Sequence, residues 1–201
     1  MTVVLVKRYP GRVSTDTRQR MVDTAVRLFR TQGYAATSWR GLVAESGTPW
    51  GSVQHHFPGG KQELALAALQ RSEDYVLGAI RIAFEKHPDT GDALAWWFSK
   101  AQLLLERSDW EQGCPIAMLS LHSGDPAVAE ASRHALTTWI AALSAALAGR
   151  GYDDAGTLAL SIITTLEGAL VLAKGLRDPA PLELAAREVR ERFTSTGSST
   201  A

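Results

Sequence analysis

The stretch GYAATSWRGLVAESGTPWGSVQHHFPGGKQEL, residues 33–64, holds two short helical patterns separated by a tight turn. Thr37 can cap the first, which runs to about Ser46 with Trp39, Leu42 and Val43 on its inward side. Gly47 stops it, because glycine takes the positive φ that such a turn requires. Thr48 can cap the second helix, with Pro49 at its first position, where proline is favoured. Val53 and Phe57, four residues apart, share an inward face. Trp50, Gly51, Ser52, Gln54 and His55 are left outward, and two of these are small enough to let another backbone approach. Phe57–Pro58 closes the helix, Gly59–Gly60 turns the chain, and Lys61 opens a long helix to about Lys86.

Working outward, a helix capped at Ser14 or Thr15 and ended by Gly33 precedes this unit, with Met21, Val22, Ala25, Leu28 and Phe29 as its stripe. Three helices with a glycine turn between the second and third have the plan of a helix-turn-helix, whose last element enters the major groove of DNA. Beyond Lys86, helical patterns fall at 90–108, 114–122, 126–149, 153–176 and 180–193, broken at Gly and Pro clusters. No stretch alternates as a strand would. The expected fold is therefore all-α, about nine helices. It divides into a basic arm at 1–14, a helix-turn-helix domain at 15–61, a helical ligand-binding and dimerisation domain at 62–193, and a disordered polar tail at 194–201.

Charge agrees with that division. The 201 residues balance to zero, yet residues 1–61 carry nine Lys/Arg against three Asp/Glu, and the remainder is acidic. A basic end on an acidic body suits a polyanionic partner, though clustered surface charge is the plainer reading. No apolar run reaches membrane-span length, and the N-terminus MTVVLVKRYPGR reverses the order of a secretory signal, so a cytoplasmic protein with no membrane partner is expected. Cys114 is the only cysteine, which excludes an intrachain disulfide, and adjacent His55 and His56 point apart on a helix, so no metal or other cofactor is expected.

The order Gly33–Tyr34, Thr37, Gly47, Gly51–Ser52, His56–Phe57, Lys61 and Leu64 resembles the DNA-binding domain of TetR/AcrR-family transcriptional regulators. The segments HHFPGGK (55–61) and GCPIA (113–117) resemble the LmrA/YxaF-like branch. The resemblance implies a homodimeric repressor on a pseudo-palindromic operator in double-stranded DNA, released by a small apolar or aromatic effector. It places Thr37 and Ser38 at phosphates, and Thr48, Pro49, Trp50, Ser52, Gln54 and His55 on or near the reading surface. Lys61 would meet a phosphate at a helix N-terminus, with Arg40, and Arg12 or Arg18, adding contacts. His56 occupies a structural histidine position, for which packing and a hydrogen bond are expected. Trp50 stands where the family is often basic, and Gln54 where it usually has tyrosine. Glutamine can bond adenine bidentately, and a tryptophan can meet a thymine methyl. The plainer alternative folds Trp50 back and leaves Gln54 solvated.

In the body, Trp97, Trp110, Met118, His122 and Trp139 are candidate ligand-binding residues, because pockets are mostly apolar with few polar groups. The same aromatics could simply fill a core. Leu158, Ile162, Leu166, Ala169 and Ala173, with Leu182 and Val189 on the last helix, are the candidate dimer face, with intrachain packing as the alternative. Cys114 suits a buried small hydrophobe better than a redox sensor. Two other functions compete: a small helical enzyme using Cys114, His122 or Asp125, and a dimeric ligand-binding protein with a weakened helix-turn-helix. Neither catalytic nor metal residues are assigned.

Overall fold

The structure, a computed structural model, describes residues 17–122 and 124–194, and only the backbone of Leu121 and His122. The arm at 1–14, the Ser14 or Thr15 cap, Arg12, the tail beyond Thr194 and the His122 side chain lie outside the described residues. Among those described there are nine helices and no strand. They are α1 (Thr17–Ala36), α2 (Trp39–Ser46), α3 (Ser52–His56), α4 (Gly60–Lys86), α5 (Thr90–Arg107), α6 (Pro115–His122), α7 (Pro126–Ala148), α8 (Ala155–Leu176) and α9 (Ala180–Thr194).

The N-terminal unit is built on α1, whose Met21, Val22, Ala25, Leu28 and Phe29 are all buried. Gly33 leaves helical geometry at φ 80°, ψ 174°, after which one more turn reaches Ala36. Leu42 of α2 and Phe57 after α3 close the small core, with Trp39 against the Phe57 ring at 6.2 Å. Arg27 pairs with Glu45 at 2.5 Å and Asp23 with Arg71 at 3.1 Å, tying α1 to α2 and to α4.

The body packs α5 on α9, α4 on α7, and α7 on α8. The α5–α9 approach is close enough to need glycine: a Cβ on Gly91 would lie 2.4 Å from the Arg190 carbonyl oxygen. Asp125 caps α7, accepting from the amides of Ala127 and Val128, with Pro126 in the first turn. Thr194, expected to begin the tail, is instead the last residue of α9, its hydroxyl donating to the Arg190 carbonyl.

Two links join the N-terminal unit to the body on either side of α6. Arg30 of α1 donates through Nε to the Gly113 carbonyl at 2.8 Å in a buried bond. On the other side, Asp125 accepts both from Gln62 of α4 at 3.1 Å and from the Tyr34 hydroxyl at 3.5 Å.

Candidate functional site

The turn between α2 and α3 is made by local chemistry. Gly47 adopts the left-handed conformation, φ 62°, and its amide donates to the Val43 carbonyl. The caps differ from the expected ones. Ser38, not Thr37, caps α2, its Oγ accepting from Gly41 N at 3.1 Å. Thr37 is buried and its hydroxyl donates to the Gly33 carbonyl at 2.8 Å. Thr48 does not cap α3 either: it is buried, with Oγ1 2.7 Å from Ser46 Oγ. The chain enters α3 through bonds from Ser52 N to Pro49 O and Val53 N to Trp50 O, so the helix starts three residues later than Pro49 suggested. Both threonines stand next to the small core, and burial directs their hydroxyls to partners inside the protein.

Ser38, Arg40, Pro49, Trp50, Gln54 and His55 are exposed, and Ser52 is half-buried. Trp50 is 62% exposed, so the folded-back alternative is not what the structure contains. His56 is half-buried with its ring edge-on to His55 at 4.8 Å. Arg18 lies over the Phe57 ring at 5.2 Å, bringing its charge to this unit. Lys61 turns back on its own unit, its Nζ 3.3 Å from the Ala35 carbonyl and 4.5 Å from the Tyr34 ring centroid. That partial burial lowers its pKa below the ordinary lysine value. Within residues 37–58 the single acidic residue is Glu45, and Arg27 pairs with it. The outward surface is therefore polar, aromatic and uncrossed by an unpaired carboxylate, as a phosphate-lined groove requires.

The second site is an apolar cavity of about 60 Å³ in the body. Trp97 and Trp139, both named from the sequence, line it. Trp110 and Met118 do not. Asp109 and Trp110 have positive φ, which swings Trp110 off the face of α5, and Met118 packs beside the Gly113 backbone. Sequence reasoning missed the polar part of the wall: Arg30, Tyr75, Lys100, Cys114 and Glu167. Only the α1–α6 packing brings Arg30 there, and no local pattern announces it. Cys114 is buried, and burial, with the Glu167 carboxylate beside it, pushes its thiol well above the ordinary value. A thiol held protonated is a poor nucleophile and a poor redox sensor. Asp125, the other candidate of a catalytic reading, is occupied as a cap and interdomain strut, and those hydrogen bonds, Gln62 first, hold its pKa low.

The structure places most of the candidate dimer-face residues against their own chain. Ile162, Leu166, Ala169 and Ala173 are buried within the chain, as are Leu182 and Val189, and Leu158 is half-buried. They hold α8 and α9 to their own body. The apolar surface left open lies on the other side of α8, at Leu160, Val171, Leu172 and Leu176, with Leu184 on α9. Exposed Gly168 and Gly175 lie along that same side. The helix is apolar enough over Ala155–Leu176 to match a membrane span by length and composition, yet only 33% of that window is buried.

Comparison with known proteins agrees with this architecture. A family profile described as bacterial regulatory proteins, tetR family, matches residues 21–68. A second, the C-terminal domain of LmrA/YxaF-like transcriptional regulators, matches residues 90–188. The HTH-type transcriptional regulator YxaF of Bacillus subtilis is 30% identical over 180 residues, covering 87% of this chain and 93% of its own. An HTH-type transcriptional regulator of Mycobacterium tuberculosis is 34% identical over 183 residues, covering 86% and 92%. Among solved structures, a TetR transcriptional regulator from Chloroflexus aurantiacus superposes with a TM-score of 0.72 at 30% identity, covering 89% of this chain and 94% of that one. A TetR regulator from Legionella pneumophila reaches 0.80 at 22% identity, covering 91% and 100%. The chain belongs to the TetR family of DNA-binding transcriptional regulators, in its LmrA/YxaF-like branch.

Proposed function

We propose that the protein is a cytoplasmic homodimeric repressor that leaves its operator when a small apolar ligand fills the body cavity. Residues 15–61 would act as the DNA-binding domain and 62–193 as the ligand-binding and dimerisation domain, with α4 belonging to both. Ser38 and Arg40 would contact phosphates, while Pro49, Trp50, Ser52, Gln54 and His55 face the groove. Thr37 and Thr48 would support that surface from inside rather than touch DNA. Lys61 would reach a phosphate only by leaving Tyr34.

The dimer would form on the open face of α8 with Leu184 of α9. That face is apolar and extended, and its glycines let a second helix come close. A two-fold axis there would set the two α3 helices on half-sites about one DNA turn, roughly 34–36 Å, apart or at another spacing that the dimer imposes.

The observation that carries the ligand-response reading is the composition of the cavity wall. It includes Arg30 of α1, the helix on which α2 packs, and Tyr75, Val76 and Ala79 of α4, which itself packs on α1. A ligand that fits better when those helices shift would draw the dimer away from its DNA-binding conformation. It acts only by its difference in affinity for the two conformations.

The test is fluorescence anisotropy on the DNA upstream of the protein's own gene, across a salt series, with aromatic compounds as competitors. Steeply salt-dependent binding that weakens with ligand is the expected result. Equal affinity for that DNA and for random duplex would remove the repressor reading.

A further inference from the structure

The segment that leads into and through α3 carries no fixed charge. Residues 47–58, GTPWGSVQHHFP, contain no Lys, Arg, Asp or Glu. The cations of the unit stand outside it: Arg40 is exposed on α2, Arg18 lies over the Phe57 ring, and Lys61 is turned onto Tyr34. In the major groove guanine is read chiefly by Arg or Lys, and cytosine by a carboxylate. This segment offers neither. It is left with the groups that distinguish an A·T pair, an amide for the adenine edge and an apolar surface for the thymine C5 methyl.

Both groups are in place. Trp50 is exposed, and the other exposed large apolar side chains among the described residues lie on α8 and α9. Its backbone is fixed from behind: Gly47 makes the left-handed turn, the Ser46 and Thr48 hydroxyls lie 2.7 Å apart, and the Trp50 carbonyl accepts from Val53 N at 3.1 Å. Gly51 is already helical, at φ −59°, ψ −20°, and open space surrounds the position its Cβ would take. Nothing there keeps a base edge from the indole. Gln54, four residues on, is exposed on the same side of the helix. At the helical rise the two positions are about 6 Å apart along the axis, roughly two base-pair steps.

We propose that Trp50 is a specificity-determining residue that reads thymine: its indole packs on the C5 methyl of one thymine in each half-site, beside the adenine edge bonded by Gln54. Arg40, Arg18 and Lys61 then supply phosphate contacts without regard to sequence. This rests on α3 being the element that faces the groove. It adds that the read positions of each half-site are A·T pairs, and that a methyl group and an amide, not a charge, separate the operator from other DNA.

The test selects a binding site for the full chain from a random duplex library, then remakes that site with deoxyuridine, which lacks only the C5 methyl, at one thymine position per half-site in turn. Fluorescence anisotropy compares the two DNAs. At one position deoxyuridine should weaken the wild type about four-fold per half-site, the worth of one buried methyl, and about fifteen-fold for both half-sites of a dimer. Trp50→Ala should bind the thymine and deoxyuridine sites equally and leave random-duplex affinity unchanged, a pattern that a merely structural role would not give. Trp50→Phe, which keeps an apolar ring, should retain part of the preference. G·C pairs enriched at the read positions, a wild type indifferent to the methyl at every thymine, or a preference undiminished in Trp50→Ala would overturn the proposal. A library from which no sequence is enriched would remove the operator-binding reading itself, and this proposal with it. An enriched site indifferent to the methyl would remove the proposal alone, so the two failures are distinct.

Discussion

The α2–α3 unit and α8 use apolar residues in opposite ways. In α2–α3 they are few and one-sided: Leu42 and Phe57 go inward, and Trp50, Gln54 and His55 stay out. Helix α8 is apolar on two opposite sides, one held by its own chain through Ile162, Leu166 and Ala173, the other open at Leu160, Val171 and Leu176. One-sided patterning assigns each residue a place, because only one face can be buried. Two-sided patterning says that both faces are covered, but not which belongs to the chain and which to a partner.

The sharpest way to break this comparison is to charge the open face of α8. Val171→Glu should leave the fold intact, convert dimer to monomer in sedimentation velocity, and lower operator affinity by about a hundred-fold or more, since like charges meet across a two-fold axis. A dimeric Val171→Glu would move the interface elsewhere. On the inner face, Ile162→Ala should instead cost about 2–5 kcal/mol of stability, read by denaturant melting. A loss below ~1 kcal/mol would mean that the inner face is less tightly packed than its burial indicates.

A smaller effect is expected at α3. Gln54→Ala should weaken operator binding by about 1–3 kcal/mol while leaving random duplex little changed, by anisotropy on both DNAs. Equal loss on both would place Gln54 among the positioning contacts. The smallest effect concerns Glu167, whose folded-state pKa is raised by burial. A carboxyl raised on folding binds more protons in the native state, so stability falls as pH rises from the ordinary glutamate value through the raised one. Glu167→Gln should flatten that slope in thermal melts between acid and neutral pH. An unchanged slope would show that Arg30 offsets the burial cost.

Much of the N-terminal unit was legible locally. Gly47 needs a left-handed turn, and the spacing of Leu42, Val53 and Phe57 needs a shared core. The error there was small and instructive. Thr37 and Ser38 are neighbouring hydroxyls, either able to cap α2, and packing buried the first and left the second to cap. The cavity was half legible: large aromatics marked Trp97 and Trp139, but Trp110 lies in a left-handed turn that removes it. Arg30 was invisible, because nothing in its local sequence sets it apart until α1 is packed on α6.

The sequence alone determined the helix order, the breaks between helices, the turn at Gly47 and the basic character of the DNA-binding end. These depend on residue type and short-range spacing, which a chain carries before it folds. Tertiary structure alone decided which face of α8 is open, which hydroxyl caps α2, and that Arg30 reaches the cavity and its Gly113 carbonyl. Each of those is a choice between local options of nearly equal energy, and it is settled only when distant helices meet.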